Sequence, residues 1–137
     1  MASVLNPYLS FNGNAREAME FYQKALGGKL TANTYGEYGD PNAPEANNLM
    51  HGQLETSAGF TLMGADSPPG VPYNPGNSFA VSLSGDDLVE LSGYWERLSD
   101  GATINVPLEK QMWGDEFGQL TDRYGVMWMV NVGPSQS

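Results

Sequence analysis

FGQLTDRYGVMWMV, residues Phe117 to Val130, decides the fold because the chain carries an earlier version of it. Sixty-six positions upstream stands HGQLETSAGFTLMG, His51 to Gly64, in which Gly52-Gln53-Leu54 aligns with Gly118-Gln119-Leu120 and Gly59 with Gly125. Each copy reads as a strand, a break at a Gly five residues after the Leu, and a second apolar-rich strand. Gly at the break supplies the positive φ that a hairpin connection often requires. Two such hairpins at one spacing point to duplication of a larger unit.

Working outward, an offset of 72 places Leu9 on Val81, Phe11 on Leu83, Gly13 on Gly85, Tyr22 on Tyr94 and Leu26 on Leu98. The fall from 72 to 66 leaves about six extra residues in the first copy, assigned to the loop Gly36 to Asn48, rich in Pro, Asn and Gly. Val4 to Asn12 alternates as a strand with Leu9 and Phe11 on one face. Asn14 and Glu17 have capping-box spacing, and Ala15, Ala18, Met19, Tyr22, Ala25 and Leu26 form a helical stripe that stops at Gly27-Gly28. Lys29 to Tyr35 is a second strand, followed by the hairpin Leu49 to Thr56 and Phe60 to Ala65.

The turn-rich stretch Ser67 to Gly76 is a connector between the copies. Asn77 to Ser84 then reads as a strand with Phe79, Val81 and Leu83 inward, and Asp86 as the cap of a second helix. That helix has a stripe of Leu88, Leu91, Trp95 and Leu98 with Tyr94 beside it. A strand at Ala102 to Leu108, the segment Trp113 to Glu116 and the second hairpin complete the order βαβββ twice. The expected organisation is one domain over 1–137, with repeat one at 4–66, connector 67–76, repeat two at 77–133 and a short disordered tail from Pro134 to Ser137.

Six Lys and Arg against sixteen Asp and Glu give a formal charge of −10, which repels phosphate backbones and anionic lipid. No nucleic-acid or membrane partner is expected. The same charge attracts a cation or simply keeps the chain soluble. The absence of Cys removes disulfides, thiolate nucleophiles and Cys metal sites. The N-terminal MASVLNPYL is not a leader pattern and no run of eighteen apolar residues occurs, so a cytoplasmic location is expected.

If the apolar face of every strand packs on the helices, period two turns the remaining side chains the other way. Tyr8, His51, Gln53, Glu55, Gln119 and Met129 fall in this second set, which is too polar for a sealed core and too apolar for ordinary surface. It reads as a ligand-cavity lining. Trp113, beside Asp115 and Glu116, is expected at the rim, where it suits a flat or cationic ligand or anchors the loop. These seven are the candidate ligand-binding residues; no catalytic residue is assigned. His51, Gln53 and Glu55 alternate on one strand face, and Glu55 can fix the His51 tautomer only if another strand or a bound water closes the gap. Trp128 and Asp122 read as core and as turn anchor.

Two βαβββ copies with a polar inner face resemble the vicinal oxygen chelate superfamily of glyoxalases, bleomycin-resistance proteins and extradiol dioxygenases. Within it the chain is similar to the PhnB-like branch, sometimes labelled demethylubiquinone methyltransferase-like. The likeness is carried by Pro7 to Phe11 with Gly13, Asn14, Ala15, Glu17, Ala18, Phe21, Tyr22 and Gly27-Gly28, by His51 to Leu54, and by Trp113-Gly114 with Gly118, Asp122, Gly125 and Trp128. It implies an α+β fold in which two βαβββ repeats form a curved mixed sheet around a cavity, and it implies a homodimer.

Metal enzymes similar to this chain use His, Gln or Glu at four places, which the repeat alignment carries to Tyr8, Met63, Ala80 and Met129. None is a usual divalent-metal ligand, so the expectation is no cofactor, with a divalent metal disfavoured. No Gly-rich strand–loop–helix pattern for S-adenosylmethionine is present, and the methyltransferase label finds no support in these residues. The leading reading is a small-organic-molecule binder without the usual metal centre. A metal-dependent lyase or isomerase with relocated ligands and a drug-sequestering protein like the bleomycin-resistance group remain as alternatives.

Overall fold

The computed structural model describes residues 3–134; of the expected disordered tail, 135–137 lie outside the described residues. The chain divides into two compact units, Met1–Gly76 and Asn77–Ser137, so the connector belongs with the first. Each unit builds its own four-stranded mixed sheet.

In the first unit the order is β1 (Tyr8–Phe11), α1 (Ala15–Leu26), β2 (Lys29–Thr34), α2 (Tyr35–Tyr38), β3 (Leu49–Glu55) and β4 (Thr61–Asp66). The strands lie in the order β1-β4-β3-β2, with β1 parallel to β4 and the other pairs antiparallel. The second unit repeats this with β5 (Val81–Gly85), α3 (Leu88–Leu98), β6 (Thr103–Lys110), β7 (Glu116–Thr121) and β8 (Met127–Val132), in the order β5-β8-β7-β6. The duplicated βαβββ unit is borne out. No described helix is long and apolar enough to cross a membrane.

One face of each sheet is covered by its helix. Ala15, Ala18, Met19, Tyr22, Ala25 and Leu26, the stripe read from spacing, are all buried, and α1 packs on β2, β3 and β4. Each large apolar side chain sealed there contributes roughly 1.5–3 kcal/mol relative to exposure. Close contacts account for glycine at three strand positions. A Cβ at Gly52 would lie 3.3 Å from the Gly64 carbonyl oxygen, one at Gly64 3.0 Å from Met19 Sδ, and one at Gly118 2.7 Å from Trp95 Cη2. Gly64 and Gly118 leave room for helix side chains and Gly52 for the neighbouring strand, which hairpin logic alone does not show.

Several expectations are corrected. Asn14 makes no side-chain capping bond. Its place is taken by Asp66, 3 % exposed at the end of β4, whose Oδ1 accepts from the N–H groups of Gly13 (2.7 Å) and Ala15 (3.0 Å) and whose Oδ2 accepts from Leu49 N–H (2.9 Å). Asp87 rather than Asp86 caps α3, accepting from Glu90 N–H at 3.0 Å. Strand β5 begins only at Val81, leaving Phe79 55 % exposed before it. Leu88 is also exposed, and Tyr94 takes its place in the buried stripe with Leu91 and Leu98. The long loop opens with the one-turn α2, capped by Thr34.

The repeat register is also revised. Leu9 lies opposite Gly64 and Leu83 opposite Val130. With the hairpins matched at 66, the first strands therefore match at 74, while the buried helix residues keep 72. The strand-to-helix turn of the second unit is two residues shorter, a difference that sequence identity over a short strand cannot resolve.

Candidate functional site

The open face of the first sheet is set by its register. Tyr8 stands opposite Met63, Met63 opposite Gln53, and Gln53 opposite Thr31, giving one row across all four strands; His51 lies opposite Asn33 and Glu55 opposite Lys29. On β3 these residues alternate with buried Gly52 and Leu54, so their side chains share the uncovered side.

Four of the seven candidates are joined by hydrogen bonds. Tyr8 Oη and His51 Nδ1 are 2.9 Å apart, His51 Nε2 and Gln53 Oε1 3.4 Å, and Gln53 Nε2 donates to Glu55 Oε1 at 2.7 Å. The group that closes the gap between His51 and Glu55 is thus Gln53, which the sequence names as a neighbour without showing it as the link. The Tyr8 and His51 rings lie 5.6 Å apart, tilted by 39°.

Beside this row opens a cleft of about 330 Å³. Tyr8 and Ser10 contribute from β1, Tyr35 from α2, and Pro68, Pro72 and Tyr73 from the connector. Sequence reading treats 67–76 as a linker; the structure makes it a wall of the cleft. Tyr35 and Tyr73 are the residues it misses, and a Pro-rich stretch with two aromatic neighbours in the loops was the available signal. Tyr35 is held by its hydroxyl, which donates to the Asp66 carbonyl at 3.0 Å.

Burial pushes the Tyr8 phenol above its ordinary pKa of 10.0, and burial, then the Asp66 charge, then Tyr8 itself push Tyr35 the same way. An unfolded tyrosine loses its proton first as pH rises, so above the ordinary value the native chain holds more protons and stability falls with pH. Urea midpoints should therefore decline as pH rises past about 10, and Tyr8→Phe should make that decline shallower. An equally steep decline in Tyr8→Phe would place the titration elsewhere.

In the second unit Gln119 lies directly opposite Met129, and Ser82 opposite Met129 on the other side. The row Ser82, Met129, Gln119, Val106 repeats Tyr8, Met63, Gln53, Thr31. Phe117 occupies the position of His51, so the hydrogen-bonded chain has no copy there. Trp113 is not on the sheet: it is 61 % exposed in the β6–β7 turn, closed by Gln111 N–H to the Asp115 carbonyl at 2.8 Å, with its ring 6.2 Å from that of Phe117. This segment precedes the last hairpin, β7–β8, as expected, and also joins β6 to β7. A separate cleft of about 410 Å³ is lined by Ser84, Asp86, Asp115 and Asn131, in which Asn131 Nδ2 donates to Asp115 Oδ2 at 3.1 Å.

The register also corrects the carried-over metal positions. The counterpart of the cross-strand pair Tyr8–Met63 is Ser82–Met129, not Ala80–Met129. A phenol, an aliphatic hydroxyl and two thioethers do not make a donor set for a hard or borderline divalent ion. Among the described residues no three His, Cys, Asp or Glu side chains are grouped to hold a metal.

A family model described as 3-demethylubiquinone-9 3-methyltransferase matches residues 3–131. Protein PA1353 from Pseudomonas aeruginosa is similar at 35% identity over 98% of this chain and 100% of that one, with a TM-score of 0.85. A structure described as a putative 3-demethylubiquinone-9 3-methyltransferase, PhnB protein, from Bacillus cereus aligns over 96% of this chain and 100% of its own at 23% identity and a TM-score of 0.73. A glyoxylase/bleomycin resistance protein/dioxygenase domain from Frankia sp. EAN1pec shares the fold at 16% identity and a TM-score of 0.67 over 97% and 98% of the two chains.

Proposed function

Because the chain belongs to the PhnB-like 3-demethylubiquinone-9 3-methyltransferase family and carries the glyoxalase/bleomycin resistance/dioxygenase fold, we propose that it binds a small organic molecule in the cleft of its first unit, without the metal centre of the fold's metalloenzymes. The observation that carries this reading is that Tyr8 belongs both to the cleft wall and to the hydrogen-bonded chain running through His51 and Gln53 to Glu55. A polar chain that ends in an aromatic-walled cleft offers stacking area and one oriented polar group, which is the usual composition of a small-molecule site. Methyl transfer is not part of the proposal. The β1–α1 turn Asn12-Gly13-Asn14 is not a Gly-rich cofactor loop, and Asp66 already takes its Gly13 N–H.

The test is a fragment screen by NMR on the whole chain, repeated on Tyr73→Ala and His51→Ala. Tyr73 is half-buried on the connector, so its truncation should leave folding intact and weaken the best aromatic fragment about tenfold, on the order of 1.4 kcal/mol. His51→Ala should also fold and also weaken binding. Unchanged affinity in both variants would remove the cleft reading. Binding that appears only after Zn²⁺, Mn²⁺ or Ni²⁺ is added would favour the metal-dependent lyase or isomerase instead.

A further inference from the structure

The direction of every hydrogen bond in the Tyr8 chain can be assigned from its far end. Glu55 is exposed and its carboxylate only accepts, so the Gln53 amide must turn its NH₂ toward it, at 2.7 Å. That turns Gln53 Oε1, an acceptor, toward His51 Nε2, which must then carry the imidazole proton. With that single proton on Nε2 the ring keeps a lone pair on Nδ1, and the proton for the 2.9 Å contact with Tyr8 is then the phenolic one. The reverse assignment would press Gln53 Oε1 against Glu55 Oε1 as two acceptors.

Tyr8, a residue of the cleft wall, therefore spends its proton on His51 and keeps oxygen lone pairs with which to accept. From this we infer that the Tyr8 oxygen is the acceptor for the ligand, so that the cleft takes a flat ring bearing a hydroxyl or ammonium donor rather than an anion or an ether, with Gln53 and Glu55 as positioning residues that hold His51 in the Nε2–H form. This assignment rests on the cleft being the binding site. Two further features agree with it. Among the described residues no Lys, Arg or His side chain lines the cleft, and the chain carries a formal charge of −10, so an anion finds no compensating side chain there. Tyr8, Tyr35 and Tyr73, with Pro68 and Pro72, put aromatic and proline rings among the polar residues of the lining, the kind of group against which an aromatic ligand packs. Donation of Tyr8 into a chain that ends on a carboxylate also polarises the phenol and strengthens its oxygen as an acceptor.

His51 is the chain's sole histidine, so imidazole ¹⁵N NMR reads one ring. In the free protein at neutral pH, Nε2 should appear protonated and Nδ1 unprotonated. Glu55→Ala should release the Gln53 amide and give a mixture of tautomers, and adding Gln53→Glu to it should restore Nε2–H, because a carboxylate then faces that nitrogen directly. A dominant Nδ1–H form in the wild type, or a tautomer unmoved by Glu55→Ala, overturns the assignment. Phenol and anisole serve as paired probes, matched in shape but differing in the donor. Phenol should bind about fivefold more tightly, the size of one net hydrogen bond, and that ratio should fall toward one in Tyr8→Phe. Equal affinity for the two probes in the wild type overturns the donor assignment. Failure of both to shift Tyr8 or Tyr73 removes the cleft as the site and the ligand assignment with it, an outcome that the tautomer spectra of the free protein keep distinct from a misassigned chain.

Discussion

Asp66→Ala should lower the unfolding free energy by about 4 kcal/mol in urea denaturation, most of the stability of a marginal domain. The carboxylate accepts three backbone N–H groups from two separate segments, Gly13 and Ala15 at the start of α1 and Leu49 at the start of β3. The bonds to Ala15 and Leu49 are buried, so their donors would be stranded, at roughly 1–3 kcal/mol each. The bond to Gly13 is only partly buried, and water can replace it. Asp66→Asn separates this account from packing. An amide keeps the shape and one acceptor oxygen but turns NH₂ toward at least one of the three donors. It should therefore still cost about 2 kcal/mol. If the Asn variant matches the wild type, shape rather than hydrogen bonding is what Asp66 supplies.

The second large effect falls in the other unit. Asp122, 4 % exposed, accepts from Tyr124 N–H (2.8 Å) and Val126 N–H (3.1 Å) through Oδ1, and from the indole Nε1–H of Trp128 (2.8 Å) through Oδ2. Asp122→Ala should cost about 3 kcal/mol, chiefly because the indole N–H lies in a core where Trp128 is 1 % exposed and water does not reach it. The first unit supplies its own control. Thr56 stands at the same point of the first hairpin, and its Oγ1 accepts from Phe60 N–H at 2.9 Å across the same turn. Asp122→Thr should recover about 1 kcal/mol, keeping the turn bond and losing the indole bond. A double-mutant cycle with Trp128→Phe isolates the rest. Coupling below about 0.5 kcal/mol would show that Asp122 acts through the turn alone.

Much of the fold was legible because its signals are local and repeated. The face of Leu9 and Phe11 against Tyr8 and Ser10, the α1 stripe and the Gly59 and Gly125 turns follow from period, sterics and a duplicated motif, and the strand and helix order agrees. The failures share a cause. Asn14 and Asp86 carry the right chemistry at the right spacing for a cap. In the first unit a carboxylate more than fifty residues away holds the helix start through the N–H groups of Gly13 and Ala15 while Asn14 makes no cap bond, and in the second the neighbouring Asp87 has the geometry. Phe79 keeps the periodic pattern two residues before β5 begins and Leu88 at the first residue of α3, and at these element ends both stay exposed.

The candidate site divides in the same way. That Tyr8, His51, Gln53 and Glu55 share a face was set by the sequence by itself, since a strand turns alternate side chains to one side wherever it is placed. That Tyr8, Met63 and Met129 are not usual metal ligands was likewise a matter of residue type, whereas the fourth position passed from Ala80 to Ser82 only through the strand register. Only the tertiary structure decided that Tyr8 meets His51 across two strands of remote sequence, that Gln53 bridges His51 to Glu55, and that the connector closes over Tyr8 as a wall. Those contacts depend on strand register and loop path, which arise from packing between distant segments and leave no periodic trace in the chain.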